Sequence, residues 1–332
     1  MTMPHDLPLR VGILGYSDIA RRKFIPALLQ SGKAVLAALA SRQPEGSTYP
    51  ADAGPVRLMT YRELVCDPAI DLIYISLPNH LHEEWSIRAL EQGKHVICEK
   101  PLGLSAASVE RMLKAADGHG RLLYENLMYL QHPHHKAVKS LIAAGRIGRV
   151  LSMRSEFVFP GPAEGDFRLD PAMGGGAFHD MNRYPLSAAL FFLEGQTHRF
   201  LRGSTEVQDG LTLSLQAESI TGAGELFSFL TAFGRPYRSF YGISGERGAI
   251  RVERAYTTPA DMENWVSVTI DGRDESFRVP PSDHFLGAIE HVCGLIGSGA
   301  WSVEHERARR LAEMAEMFHD SCTRRGHNHE SE

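Results

Sequence analysis

A run of small residues between Gly12 and Ala20 has the spacing of a phosphate-binding turn. The segment Gly12-Ile13-Leu14-Gly15-Tyr16-Ser17-Asp18-Ile19-Ala20 follows an apolar run and opens a helical pattern. A dinucleotide-binding turn needs small residues for a tight bend, for approach of the pyrophosphate and for packing of helix on strand. Those positions fall on Gly15, Ser17 and Ala20, and the Ser17 hydroxyl could bind phosphate beside the helix amides. An ordinary turn between a strand and a helix would use similar residues.

The end of the second apolar run distinguishes between two dinucleotides. A site for NAD usually places an acidic residue there, which binds the ribose 2′-hydroxyl. This chain instead has Ser41-Arg42-Gln43. Arg42 can pair with a 2′-phosphate and Ser41 can donate a hydrogen bond to it, whereas a carboxylate would repel it. The sequence therefore favours NADP(H) over NAD(H), with a solvated surface arginine as the alternative.

Three further residues have side chains suited to proton transfer. Lys100 follows the apolar run 94–98, at the strand end where ligands of open α/β sheets bind. Asp180 and Tyr184 are four residues apart, so on one helix they would share a face. The three glycines 174–176 before them would allow close approach to a cofactor or substrate. A lone lysine or tyrosine is more often structural.

Several histidines invite comparison with a metal site. Gln131-His132-Pro133-His134-His135 is rich in imidazole, yet it lacks an accompanying cysteine or acidic pair at ligand spacing. We therefore expect no metal. His327 and His329 are expected to lie in a solvated tail.

The first 125 residues alternate between short apolar runs and helical patterns. This alternation predicts a parallel, doubly wound sheet of the Rossmann type. Pro26 falls inside the first helix and should bend it or mark a boundary. The predicted strands cover residues 9–14, 34–40, 71–77, 94–98 and 121–124, and the predicted helices cover 19–30, 81–92 and 105–117.

The pattern changes after a helical stretch at residues 134–144. Apolar and polar residues then alternate with a period of two in parts of 149–159, 211–215, 226–230 and 265–270, with turn residues such as Asp271-Gly272 between them. This indicates a large, mainly antiparallel sheet in a C-terminal α+β domain, closed by a helix with an apolar stripe from Leu311 to Cys322. We predict a dinucleotide-binding domain at 1–125 and a substrate-binding and oligomerisation domain at 126–332.

Composition restricts the class of protein. The chain has 332 residues, 43% of them hydrophobic and 23% charged, with a net charge of −5. This balance is typical of globular enzymes and provides no basic surface for nucleic acid or anionic lipid. No secretory signal or membrane span is apparent. Four scattered cysteines favour reduced thiols, so we expect a cytoplasmic protein.

These motifs together resemble the Gfo/Idh/MocA oxidoreductase family over roughly residues 9–298. The markers are the turn at 12–20, Leu77-Pro78-Asn79-His80-Leu81-His82, the run 93–101 ending in Glu99-Lys100-Pro101, and three glycines followed by Asp180 and Tyr184. Within the family the chain looks most like the NDP-sugar 3-ketoreductases. That likeness rests on Asp18-Ile19-Ala20, Glu125-Asn126-Leu127-Met128-Tyr129, His132-Pro133, Gly165-Asp166-Phe167-Arg168 and Tyr184.

The resemblance implies the site residues. Tyr184 would be the general acid, Lys100 its electrostatic partner, and Asp180 a group that orients the lysine or substrate. A nearby ammonium would favour the phenolate of Tyr184. The residues expected to bind cofactor are Gly12, Gly15, Tyr16, Ser17, Asp18, Ile19, Ala20, Ser41, Arg42, Leu77, Pro78, Asn79, His82, Glu99, Lys100, Pro101 and Asn126. The residues expected to bind substrate are Arg168, Asp180 and Tyr184, together with His179 and Arg183, which depart from the family pattern.

Three positions depart from the family pattern. Many relatives have glycine and a small apolar residue where this chain has Asn182 and Arg183. These side chains would narrow the pocket, contact a phosphate or face outward. His179 would be a second acid–base group or a packed histidine, and Arg168 would hold a diphosphate or a sugar hydroxyl, or form a salt bridge.

The expected function is hydride transfer between NADP(H) and the carbonyl or alcohol of a sugar or sugar nucleotide. The resemblance also implies a homo-oligomer, a dimer or tetramer, formed through the C-terminal sheet. The alternatives are a dehydrogenase of free sugars, cyclitols or dihydrodiols, and a non-catalytic NADP-binding regulatory protein.

Overall fold

The computed structural model describes residues 7–42, 55–193 and 197–326. The chain forms two compact units: Met1–Met128 with Phe285–Arg310, and Tyr129–His284 with Leu311–Glu332. Gln43 and the tail histidines at 327 and 329 lie outside the described residues. Within the described part of the chain, no helix is both long enough and apolar enough to cross a membrane.

The first unit is built on a six-stranded parallel sheet in the order β3-β2-β1-β4-β5-β6. The strands β4 and β5 are buried throughout, as expected for a parallel sheet covered on both faces. The predicted doubly wound sheet is therefore confirmed. The strands are β1 Leu9–Leu14, β2 Ala34–Ala40, β3 Arg57–Met59, β4 Leu72–Ile75, β5 His95–Cys98 and β6 Leu123–Glu125.

The helices of this unit include α1 Ile25–Gln30, α2 Tyr61–Cys66, α3 His82–Glu91 and α4 Ala106–Gly118. A π-helical turn, Ala20–Phe24, precedes α1, and Pro26 lies in the first turn of α1. This agrees with the expected boundary, because proline lacks the N–H that an unbroken α-helix would bond to the Arg22 carbonyl. The short α2 and β3 escaped the sequence pattern, although Thr60 and Glu63 form a capping box before α2.

The second unit contains an eight-stranded sheet in the order β14-β13-β12-β11-β7-β10-β9-β8. Only the pair β7 and β10 is parallel, so the predicted mainly antiparallel sheet is confirmed. Burial alternates along β13, as its period-two pattern predicts. The strands are β7 Val150–Val158, β8 His198–Gln208, β9 Leu211–Thr221, β10 Leu226–Ala232, β11 Arg238–Gly245, β12 Gly248–Glu253, β13 Asn264–Ile270 and β14 Arg273–Val279.

The remaining helices are α5 Pro133–Ala143, α6 Ala177–Met181, α7 Arg183–Phe192, α8 His284–Ser298 and α9 Ser302–Gly326. The unit boundaries place α8 from Phe285 onward in the first unit and α9 from Leu311 onward in the second. The predicted apolar stripe of α9 is buried, with Leu311 and Phe318 fully so. Asn182 separates α6 from α7, so Asp180 and Tyr184 lie on two successive short helices and not on the single helix that their spacing suggested.

Candidate active site

The candidate cofactor residues gather at the carboxyl edge of the first sheet. Because the strands are parallel, their carboxyl ends share one edge, where open α/β sheets bind ligands. Residues 15–20 follow β1, 41–42 follow β2, 77–79 follow β4, 99–101 follow β5, and Asn126 follows β6. Five separate parts of the predicted set thus meet at one sheet edge.

The turn after β1 has a backbone conformation that favours glycine. Gly15 has a φ of 97°, and a Cβ there would lie 2.8 Å from Cδ2 of Leu77. The Ser17 hydroxyl accepts a hydrogen bond from the Ala20 N–H at 3.2 Å and so caps the first helical turn. Gly12 lies inside β1, where a Cβ would be 2.6 Å from Cδ1 of Leu64. Gly12 therefore allows α2 to pack on β1.

The end of β2 carries an exposed positive charge. Arg42 is exposed, and the Ser41 N–H bonds to the Met59 carbonyl at 3.2 Å. Burial raises the pKa of Tyr61 in α2, and the charge of Arg42 acts in the opposite direction. Asp18, after β1, pairs with Arg21 at 2.7 Å. Its carboxylate thus forms a local ion pair with a residue three positions along the chain.

A buried polar cluster supports the Glu99-Lys100-Pro101 loop. The Glu99 carboxylate accepts hydrogen bonds from the Tyr74 hydroxyl and from Nδ2 of Asn126, both at 2.7 Å. Burial raises the pKa of Glu99, while these bonds and the charge of Lys100 act in the opposite direction. The Asn126 Oδ1 is buried without a hydrogen-bond partner among the described residues. Tyr74 was missed from the sequence because it reads as part of an apolar strand.

His82 is a structural clamp in this arrangement. Its Nδ1 lies 2.7 Å from the Pro101 carbonyl oxygen and its Nε2 lies 2.8 Å from the Leu77 carbonyl oxygen. The side chain is fully buried, and burial lowers its pKa although both carbonyls favour protonation. Both nitrogens thus lie within hydrogen-bonding distance of backbone carbonyl oxygens, one in each of the two loops.

The second unit brings Arg168 and Asp180 together. Arg168 pairs with Asp166 at 3.1 Å and approaches Asp180, with its Nε 3.4 Å from Oδ1. This is the salt bridge weighed as the alternative to a ligand contact. The Gly175 position explains the glycine run: a Cβ there would lie 2.5 Å from the Arg168 carbonyl oxygen. These glycines thus approach the chain's own backbone and hold Arg168 beside α6.

Tyr184 is enclosed by aromatic side chains. It is 5% exposed, and its ring centroid lies 4.7 Å from Phe157, 5.5 Å from Tyr256 and 5.6 Å from Tyr129. The Tyr129 hydroxyl also bonds to the Tyr184 carbonyl oxygen. Sequence reasoning did not assign these three neighbours. Tyr129 stood in a quoted family segment, and the other two read as strand and loop residues.

Two of the three departures from the family pattern, Asn182 and Arg183, are buried. Asn182 and Arg183 are 2% and 4% exposed, so of the three alternatives the outward-facing one is wrong. Arg183 donates to the Leu311 carbonyl oxygen in α9. His179 packs against Phe178 with ring centroids 4.8 Å apart. Burial and the charge of Arg183 lower the pKa of His179 to about 4, so at neutral pH it is an uncharged packed histidine.

The histidines around α5 form a neutral hydrogen-bonded network. Nε2 of His134 lies 2.8 Å from Nε2 of His135, whose Nδ1 meets the Tyr241 hydroxyl at 3.0 Å. Burial lowers the pKa of His134 to about 2 and that of His132 to about 4. No group of three or more potential metal ligands occurs in the part of the chain that the structure describes.

Two family models match two successive parts of the chain. The model of the GFO/IDH/MocA oxidoreductase family, NAD-binding Rossmann fold, matches residues 9–127. The model of the GFO/IDH/MocA C-terminal domain matches residues 135–251. The first match spans the parallel sheet, and the second spans much of the mainly antiparallel sheet.

Named relatives are similar over most of the chain. A dTDP-3,4-didehydro-2,6-dideoxy-alpha-D-glucose 3-reductase of Saccharopolyspora spinosa is 34% identical over 85% of this chain and 86% of its own. A D-xylose 1-dehydrogenase (NADP(+)) 2 of Haloferax volcanii is 30% identical over 94% and 96%. The crystal structure of KijD10, a 3-ketoreductase from Actinomadura kijaniata in complex with NADP and TDP-benzene, is 30% identical, covers 95% and 98%, and gives a TM-score of 0.90. The chain therefore belongs to the Gfo/Idh/MocA family of NAD(P)-dependent oxidoreductases.

Proposed function

We propose that this enzyme transfers hydride between NADP(H) and the C3 carbonyl of a nucleotide-linked deoxysugar. The observation that carries the proposal is the convergence of five predicted cofactor segments on the carboxyl edge of the parallel sheet, with Lys100 among them. Relatives named as 3-reductases of a dTDP-linked dideoxy sugar, and a structural neighbour holding NADP and TDP-benzene, support the substrate class.

The carboxyl edge fits a dinucleotide. The left-handed turn at Gly15 keeps side-chain bulk away from the edge, and the buried Oδ1 of Asn126 is an acceptor without a partner among the described residues. A buried acceptor of this kind costs free energy unless a donor reaches it. Residues 15–20, 41–42 and Asn126 would hold the cofactor, which supplies the hydride when bound.

The remaining chemistry is proton transfer, which we assign to Tyr184. Its ring is held by three aromatic neighbours, so its hydroxyl has a restricted set of positions. Reduction of a ketone requires a proton at the carbonyl oxygen, and the Tyr184 hydroxyl donates it. The Lys100 ammonium stabilises the phenolate that remains. Asp180, whose charge is balanced by Arg168, orients the substrate hydroxyls.

The test is turnover by a Tyr184→Phe variant. NADPH oxidation with dTDP-3,4-didehydro-2,6-dideoxy-α-D-glucose should fall about 10²–10⁴-fold, the usual scale of general acid catalysis. NADPH affinity, followed by fluorescence, should stay the same. Near-wild-type turnover in Tyr184→Phe would remove the assigned role. Tight NADPH binding without turnover on any sugar ketone would instead favour a regulatory NADP-binding protein.

A second candidate function is oxidation of a free sugar. It is favoured by the likeness to a D-xylose 1-dehydrogenase (NADP(+)) over nearly the whole chain. The same acid–base residues serve both directions, so the two functions differ in substrate recognition. Parallel assays with D-xylose plus NADP⁺ and with the dTDP-keto sugar plus NADPH discriminate between them through the ratio of kcat/KM.

We also propose that two copies associate through the second sheet. A groove of about 550 Å³ on this sheet is lined by polar, apolar and charged residues, the charged ones including Arg154, Arg202 and Glu218. Light scattering of the purified protein should show a dimer or tetramer. A monomer at micromolar concentration would contradict this proposal.

A further inference from the structure

We infer that Tyr129 is a positioning residue for Tyr184, an inference that rests on the proposed function. Tyr129 is completely buried in the second unit. Its hydroxyl lies 3.1 Å from the Tyr184 carbonyl oxygen and 2.6 Å from Oγ of Ser187. Both groups belong to the start of α7, so one phenol holds the turn of helix that carries Tyr184.

The start of α7 needs such a support. Asn182 ends α6 and precedes α7, so Tyr184 is only the second residue of a new helix. First turns have backbone amides without helical partners and are less well fixed than helix interiors. Ser187 bonds back to the Arg183 carbonyl oxygen, which ties the turn to itself but not to its surroundings. Tyr129 supplies a hydrogen bond to this turn from outside α7.

The ring of Tyr129, like its hydroxyl, contacts Tyr184. Its centroid lies 5.6 Å from that of Tyr184 and 5.0 Å from that of His135, which contacts it edge-on. The backbone of Tyr129 is held in turn, because its carbonyl oxygen accepts from the His132 N–H at 2.9 Å. A group that transfers a proton must be held within about 0.5 Å of its working position, and neighbouring side chains provide that precision.

Tyr256 provides a matched control. Its ring is also buried against Tyr184, with centroids 5.5 Å apart. Its hydroxyl, however, bonds to Ser155 in β7 and not to α7. Tyr129→Phe and Tyr256→Phe therefore each remove a phenol hydroxyl from a ring that packs on Tyr184. Only Tyr129→Phe also removes a hydrogen bond to α7.

The first experiment is steady-state kinetics with NADPH and dTDP-3,4-didehydro-2,6-dideoxy-α-D-glucose. Tyr129→Phe should lower kcat about tenfold or more because the acid is misplaced, with the NADPH dissociation constant unchanged. In Tyr256→Phe, kcat should stay within about twofold of wild type, because the ring that packs on Tyr184 is kept and the lost hydroxyl bonds to Ser155 in β7. In a Tyr184→Phe background, Tyr129→Phe should cause no further loss, because it acts through Tyr184. An additive loss would overturn the inference.

A second experiment needs no substrate. Hydrogen exchange of the backbone amides of residues 184 and 186–188 should be about tenfold faster in Tyr129→Phe than in Tyr256→Phe, which is the scale for losing one buried hydrogen bond. Ser187→Ala removes one of the two groups that the Tyr129 hydroxyl contacts and should change exchange in the same direction, which covers the case in which Tyr129→Phe folds poorly. Equal exchange in all variants would overturn the inference. Retained turnover in Tyr184→Phe would count against the proposed function alone, since exchange reports on Tyr129 independently.

Discussion

Arg183 donates a hydrogen bond from Nη1 to the carbonyl oxygen of Leu311 at 3.2 Å, in a site where Arg183 is 4% exposed. The buried guanidinium at the start of α7 thus bonds to α9. Arg183 directly precedes Tyr184, so this contact also fixes the start of α7. The residue that departs from the family pattern has a structural partner in the fold.

We expect Arg183→Met to act on stability. Loss of a charged hydrogen bond to a buried carbonyl should lower the free energy of unfolding by about 1–3 kcal/mol, measured by urea denaturation. The exposed Arg199, changed to Met, is the matched control and should have little effect. A raised substrate KM with unchanged stability would instead place the Arg183 guanidinium at the substrate.

His82→Ala should loosen the carboxyl edge of the first sheet. It removes an imidazole that contacts the carbonyl oxygens of Leu77 and Pro101 and donates its N–H to one of them, so both thermal stability and NADPH affinity should fall. His80→Ala is the control, because His80 is exposed and two residues away. Equal melting temperatures in the two variants would show that the clamp contributes nothing.

Arg42→Ala tests the preference for NADP(H). Removing a charge-assisted contact to a 2′-phosphate should weaken NADPH binding about 10- to 100-fold. NADH binding should be unchanged, because NADH has no phosphate there. Arg88→Ala is the control, since Arg88 is exposed and paired with Glu84. Equal NADPH affinity in wild type and Arg42→Ala would remove the reason for preferring NADP.

Acid should destabilise the fold through buried histidines. The pKa values of His132 and His179 are lowered by burial from 6.5 to about 4. As the pH falls below about 6.5 the unfolded chain binds protons that the folded chain does not, so stability is lost down to about pH 4. The slope is about 1.4 kcal/mol per pH unit for each group.

His132→Asn isolates one of these contributions. Asparagine can still cap the start of α5 but does not titrate. The stability of the variant relative to wild type should therefore improve steadily between pH 6.5 and pH 4. A difference in the free energy of unfolding between variant and wild type that stays constant over this pH range would show that His132 does not cause the loss of stability.

Much of the fold could be predicted from short patterns. The apolar runs of β1 and β2 were located to the residue, because a strand buried on both faces has a continuous apolar sequence. The strand β3 and helix α2 were not predicted, since three and six residues are too short for a period to emerge. The junction at Asn182 was also missed, because its backbone stays helical and only the hydrogen-bonding pattern changes.

The sequence by itself determined the two kinds of sheet, the family and the sheet edge at which Lys100 lies, because these depend on periodicity and on motifs local in the chain. Tertiary structure alone decided what the individual side chains do. His82 meets carbonyls 5 and 19 residues away, Arg183 meets Leu311 at a separation of 128, and Tyr129 meets the helix of Tyr184 at 55. Such partners are set by how elements pack, and packing depends on the shapes of surfaces that no local pattern records.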